Sequence, residues 1–146
     1  MNALRKVFLT TVLIMLSLLA DAQSTISARL VNLRSDKGLC RICIFDKPQA
    51  FRIKAGQPLQ CIAVPVRNGV AEASFSNLAP GTYALFVFHD ANGNGKFDTN
   101  FLGIPKEGYG ASRNSLPFAA APSFENNKLQ IASNTITSIT IRIRNL

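Results

Sequence analysis

The residues best suited to chemistry lie between Asp90 and Asp98, where oxygen-bearing side chains recur as Asp90, Asn92, Asn94 and Asp98, with Gly95 at the bend. Alternate residues of a tightly curled loop turn their oxygens toward one centre, the geometry that a hard cation requires. Counted from Asp90, these residues take positions 1, 3, 5 and 9 of an EF-hand-like loop, and the main-chain carbonyl of Lys96 takes position 7. The spacing therefore predicts calcium at Asp90, Asn92, Asn94, Lys96 and Asp98. Position 12, where such loops carry a bidentate glutamate, is Phe101, and Glu107 is the next acid downstream. Two carboxylates set an expected affinity on the order of 0.1–1 mM. The same residue types also suit an Asx-turn loop that needs no metal.

Other reactive groups are few. Cys40 and Cys43 form a C-x-x-C, but Leu39 to Phe45 reads as a strand, not as the helix N-terminus that activates a redox thiol. Residues three apart on a strand face opposite sides and do not bridge easily. The expected disulfide is Cys43–Cys61, with Cys40 free and Cys40–Cys61 as the alternative. His89 is the only histidine. Ser112 and Ser115 have neither a second histidine nor a glycine elbow to activate them, which argues against a serine hydrolase. An enzyme would have to use His89, Asp90 or Glu107 in a cleft beneath the loop.

The N-terminus supplies an address. Arg5 and Lys6 precede an apolar run from Val7 to Ala20, and Ala20-Asp21-Ala22 offers an A-x-A cleavage site. The run is too short to span a bilayer and has the form of a secretory signal, 1–22, leaving a single domain over 23–146 with no transmembrane segment. Without residues 1–22 the chain keeps 14 basic and 7 acidic residues, a net charge of +7. The basic residues are scattered, and export makes nucleic acid a poor partner. A periplasmic or secreted location also permits the disulfide.

The elements that must hold the loop read as strands. Ile26, Ala28 and Leu30 alternate with polar residues in a first strand, and Leu39 to Phe45 forms a second near the centre of a sheet. Phe51 and Ile53 are expected as inward anchors of the following loop. Leu59 to Arg67 and Val70 to Phe75 flank Asn68-Gly69, a type I′ hairpin signal. Pro65 lacks a ladder donor and places its strand at an edge or a bulge. Tyr83 to His89 is apolar on both faces and should be central. Lys128 to Ala132 and Thr135 to Arg144 close the chain. About seven short strands without helical periodicity predict an all-β fold, a small antiparallel Ig-like or prealbumin-like β-sandwich. One long loop, 90–127, remains. Loops beyond about 15 residues are uncommon unless functional or internally organised. Phe97, Phe101, Leu102, Ile104, Tyr109, Leu116, Phe118 and Phe124 are expected to fold it onto the sandwich as a cap.

Leu78, Pro80, Gly81, Tyr83 and Ala84, followed by the run Phe88 to Gly110, resemble an exported bacterial family known as a domain of unknown function, DUF2141. The similarity extends more weakly to Gly38–Asp46 and Ala121–Glu125. The resemblance implies a secreted or periplasmic sandwich similar to transthyretin-like and carboxypeptidase-regulatory modules, and it implies no assigned activity. The expected function is a non-enzymatic envelope domain with a calcium-stabilised loop, binding an envelope ligand or protein through Phe88–Arg113. The alternatives are a structural module without metal and an enzyme using the His89/Asp90/Glu107 cleft.

Overall fold

Strand alternation and its exceptions account for the architecture. The computed structural model describes residues 23–52 and 56–145. Residues 1–22, read above as a secretory signal, and Ile53 lie outside them. β1 (Ser24–Val31) buries Ile26, Ala28 and Leu30 and turns Ser27 and Arg29 outward. β2 (Leu39–Phe45) buries Cys40, Ile42 and Ile44 on one face. β3 (Gln60–Pro65) is an edge strand, as Pro65 requires. β4 (Ala71–Leu78) alternates Ala71, Ala73 and Phe75 with exposed polar residues. β5 (Gly81–Asp90) is buried from Tyr83 onward. β6 (Tyr109–Ala111), α1 (Phe124–Asn127), β7 (Leu129–Ile131) and β8 (Ile136–Arg142) complete the chain.

Two sheets pack face to face. One has the order β4-β1-β8; in the other, β3-β2-β5-β6 run side by side and β7 pairs with the start of β5. Between them lie Ile26, Leu30, Ile42, Ile44, Phe75, Leu85, Val87 and Ile141. Among the described residues the result is a β-sandwich of eight strands. One pairing departs from the antiparallel expectation: β8 runs parallel to β1, from Thr25↔Ile136 to Val31↔Arg142.

β5 is apolar on both faces because both are covered. Leu85 and Val87 face the sandwich interior, whereas Ala84, Phe86 and Phe88 face a second cluster with Phe45, Phe51, Tyr109 and Phe124. Phe97 stacks on Phe86, Phe88 and Tyr109 at centroid distances of 5.4, 5.4 and 5.8 Å. Phe51 meets Phe45 and Phe124 edge-on at 5.1 and 6.0 Å. This second layer is made by the 90–127 segment and the loop after β2.

The long segment is internally organised, and it contains β6 and α1, which periodicity did not indicate. Gly110 lets β6 lie against β8: a Cβ there would sit 2.7 Å from Ile141 Cγ2. Asn127, fully buried, accepts from the Arg113 and Ser115 amides and donates to the Ser115 and Ser123 carbonyls. Ser112 Oγ donates to the Asn127 carbonyl and accepts from the Leu85 amide at 3.0 Å, so it is a structural hydroxyl. Phe101, Leu102, Ile104 and Phe118 do not join the cap's core, contrary to expectation; all four are exposed.

The turn at Asn68-Gly69 has positive φ at both residues, 53° and 72°. The Asp36 carboxylate accepts from both amides, at 2.8 and 3.0 Å. These bonds, that from Gly69 first, hold its carboxyl below the ordinary range.

Cys43 and Cys61 face each other in register across β2 and β3 and form a disulfide with Cα atoms 4.1 Å apart. Cys40, one face away, is free and completely buried. Burial pushes its thiol up to about 12. At pH 8 essentially no thiolate forms, so iodoacetamide is expected to label Cys40 only after denaturation. Labelling of the native protein within minutes would show that the sandwich interior opens far more often than its packing implies.

Candidate functional site

The site begins where β5 ends. Residues of odd number in β5 face the sandwich, and those of even number face the cap, so His89 and Asp90 point to opposite sides. His89 is buried, and its Nε2 lies 2.8 Å from the Lys37 carbonyl. A carbonyl only accepts, so that nitrogen carries the proton. Asp90 is fully buried. Its Oδ2 accepts from Arg41 Nε at 2.6 Å and from the Gly95 amide at 2.9 Å, and its Oδ1 accepts from the Asn94 amide at 3.0 Å. Burial acts to raise the Asp90 pKa. The Arg41 bond, the Gly95 and Asn94 amides and the Arg41 charge together outweigh it, and the net direction is down.

The loop curls back through two Asx turns. Asn92 Oδ1 accepts from the Asn94 amide and Asn94 Oδ1 from the Lys96 amide, at 3.1 and 2.9 Å. Gly93 and Gly95 take positive φ of 72° and 77°, which the curl requires. The side-chain nitrogens of Asn92 and Asn94 both donate to Asp98 Oδ2 at 2.8 Å. The side chains of Asn92, Asn94 and Asp98 therefore meet, but through the two amide nitrogens and not through converging oxygens. Asp90 is directed instead at Arg41 and the backbone, and the Lys96 side chain is exposed.

Glu107 joins this group from the far arm of the loop. Its Oε2 accepts from the Asp98 amide at 3.0 Å, and the Lys106 amide donates to the Asp98 carbonyl at 2.9 Å. Glu107 is 9 % exposed, and its Oε1 is buried without a hydrogen-bond partner among the described residues. Burial, opposed by the Asp98 amide and reinforced by the charges of Asp98 and Asp90, pushes its carboxyl above the usual range. A recess of about 450 Å³ opens here, lined by Ala91, Asn92, Asp98, Thr99, Lys106 and Glu107. His89 does not line it.

Carboxylate and amide oxygens are hard donors suited to calcium, and none is a soft ligand. Among the described residues no three His, Cys, Asp or Glu side chains form a metal-holding group by themselves. Asn side chains must supply part of any shell. The Asn92 and Asn94 oxygens are engaged by the Asn94 and Lys96 amides and the nitrogens face Asp98, so both side chains would have to turn, and give up those Asx-turn bonds, to become ligands. Arg41 is the member that sequence reading missed. Strand parity carried the signal, because residue 41 shares the cap-facing side of β2 with Cys43 and Phe45.

Beyond Asp98 the chain forms a short hairpin. Thr99 bridges Pro105, and the Asn100 amide donates to the Ile104 carbonyl at 2.8 Å. Asn100 Oδ1 accepts from the Leu102 and Ile104 amides at 2.9 and 3.0 Å. The turn is closed by its own backbone and one side chain, so Phe101, Leu102 and Ile104 are left to project.

No curated protein and no solved structure matches the chain. A family match covers residues 29–140, which span the sandwich, the acidic loop and the cap. The chain belongs to the bacterial family described as an uncharacterized protein conserved in bacteria, DUF2141.

Proposed function

We propose that the protein is an exported, non-enzymatic domain of the bacterial envelope that binds through its 90–107 loop, which calcium stabilises. The observation that carries the ion is Glu107 Oε1, a buried carboxylate oxygen with no hydrogen-bond partner among the described residues, held beside Asp98 in the loop's recess. An unpaired buried carboxylate oxygen is costly, and a cation is the partner that satisfies it best. Asp98 and Glu107, with Asn92, Asn94 and the Lys96 carbonyl, offer an oxygen-only set, while Asp90 anchors the loop through Arg41 and the Asn94 and Gly95 amides. Glu107 then takes the part that Phe101 cannot play at position 12. Export is supported by the N-terminal segment and by the disulfide, which suits an oxidising compartment.

Calcium titration with thermal denaturation tests the reading. At ten times its dissociation constant calcium is expected to add about 1.4 kcal/mol. That is a rise of roughly 5 °C for a domain of this size. Magnesium should do less, because it demands a tighter octahedron and keeps its waters. Asp98→Asn and Glu107→Gln should each abolish the shift. An unchanged melting temperature at several millimolar calcium would leave the loop as a metal-free structural turn.

A further inference from the structure

The hairpin tip presents a surface of distinct chemistry. From Thr99 to Pro105 the chain carries no charge, and three of its seven residues are large, apolar and exposed: Phe101 at 95 %, Leu102 at 68 % and Ile104 at 49 %. Such side chains are normally withdrawn into a core, and this protein does so with Phe97, Tyr109 and Phe124 of the same segment. The tip is also held in shape. The Thr99–Pro105 bridge, the bond from the Asn100 amide to the Ile104 carbonyl and the two bonds accepted by Asn100 Oδ1 fix it as a protrusion.

The charges at its base are sorted by sign. The exposed charged residue on the descending arm is Lys96, and on the returning arm Lys106, one residue beyond Pro105. The carboxylates of the same arms are less exposed: Glu107 is buried, and Asp98 is half-buried and bonded to the two Asn side chains. The outward character is an apolar point with a cationic collar, on a chain whose formal net charge is +8. A narrow protrusion of three apolar side chains suits insertion into a soft interface better than the flat, wide contact of a protein pair. Lysines at its base complement anionic headgroups.

We infer that the 99–105 hairpin docks the protein on an anionic lipid surface, with Phe101, Leu102 and Ile104 entering the acyl boundary and Lys96 and Lys106 meeting the headgroups. The inference rests on the reading of this loop as the binding surface, and it names the partner. Calcium bears on it indirectly: Asp98 and Glu107 tie the two arms at the base of the hairpin, so an ion there would stiffen the protrusion.

Co-sedimentation of the purified protein with vesicles tests it, comparing pure phosphatidylcholine with a mixture containing phosphatidylglycerol. Binding is expected to the anionic vesicles and to weaken as salt is raised. The double substitution Phe101→Ser with Leu102→Ser should reduce partitioning by at least about tenfold. Lys96→Gln and Lys106→Gln should each reduce it about fivefold. Because all four side chains are exposed, the variants should melt with the parent, which separates lost binding from lost fold. No pelleting at low salt, or pelleting unchanged in the Phe101/Leu102 variant, would overturn the inference. A dimer in solution that this variant dissolves, without vesicle binding, would overturn it in favour of self-association. Each arm is run in calcium and in chelator. Vesicle binding that persists without a calcium-dependent melting shift supports the lipid inference and removes the ion. A melting shift without vesicle binding does the reverse.

Discussion

Arg41→Ala is expected to destabilise the protein by about 3–5 kcal/mol, more than the loss of the acid it pairs with. Asp90 is fully buried at the end of β5, and Arg41 Nε lies 2.6 Å from its Oδ2. Removing the guanidinium leaves the carboxylate with the Asn94 and Gly95 amides and only the water that enters the space Arg41 vacates. The reciprocal change, Asp90→Ala, leaves Arg41, whose side chain is 31 % exposed and able to turn toward water. About 2 kcal/mol is expected for that variant. Urea denaturation of the two variants checks the asymmetry; equal costs below 1 kcal/mol would mean that the pair is surface-like. The pH dependence follows in sign. The folded Asp90 pKa lies below its unfolded value near 4. Its contribution is therefore complete above about pH 4 and is lost as pH falls through the depressed folded value. In Arg41→Ala the hydrogen bond and the charge of the guanidinium no longer hold the carboxyl down, the folded pKa rises, and acid sensitivity begins at higher pH.

Loss of the Cys43–Cys61 bridge is expected to cost about 3 kcal/mol, read as a fall in melting temperature of roughly 10 °C. The bridge closes a loop with a sequence separation of 18. That loop contains Phe51, which anchors the second aromatic layer against Phe45 and Phe124. It also secures β3, an edge strand whose residues are half-buried at best, whose apolar contribution is therefore small, and whose Pro65 donates no ladder bond. The double substitution Cys43→Ser with Cys61→Ser isolates the effect without exposing Cys40. Melting unchanged by that substitution would mean that β3 holds by its ladder with β2 alone. Proteolysis of the variant should begin in the 46–59 connection.

Several features were legible because they depend on neighbours in sequence. Alternation in Ile26-Ser27-Ala28-Arg29-Leu30 sets which face of β1 is buried, whatever lies opposite it. The apolar residues on both faces of Tyr83 to Phe88 require a central strand. Pro65 requires an edge or a bulge, and Asn68-Gly69 favours a turn of positive φ. The parity of Cys40 and Cys43 separates their faces, leaving one of them for Cys61. These are properties of the pleat and of single-residue backbone preference, and a short window contains them in full.

Tertiary structure alone decided the rest. The parallel pairing of β1 with β8 joins residues 111 apart at Thr25 and Ile136, and no local pattern specifies direction. Tyr109-Gly110-Ala111 has no strand signal of its own; it is a strand because β5 offers it an edge and because glycine fits against Ile141. Asn127 organises the cap through four bonds to segments 4 to 14 residues away, yet on paper it is one asparagine among many. Within the loop the spacing keeps Asn92, Asn94 and Asp98 near one another, but which of their atoms meet is not written in it, and the orientation of Asp90 depends on Arg41, 49 residues earlier. The burial of Glu107 and the exposure of Phe101 have the same origin. A residue type fixes what a side chain can bond to or withdraw from. Whether a partner stands there is set by how two sheets and a returning arm meet, which is a sum over contacts distant in the chain.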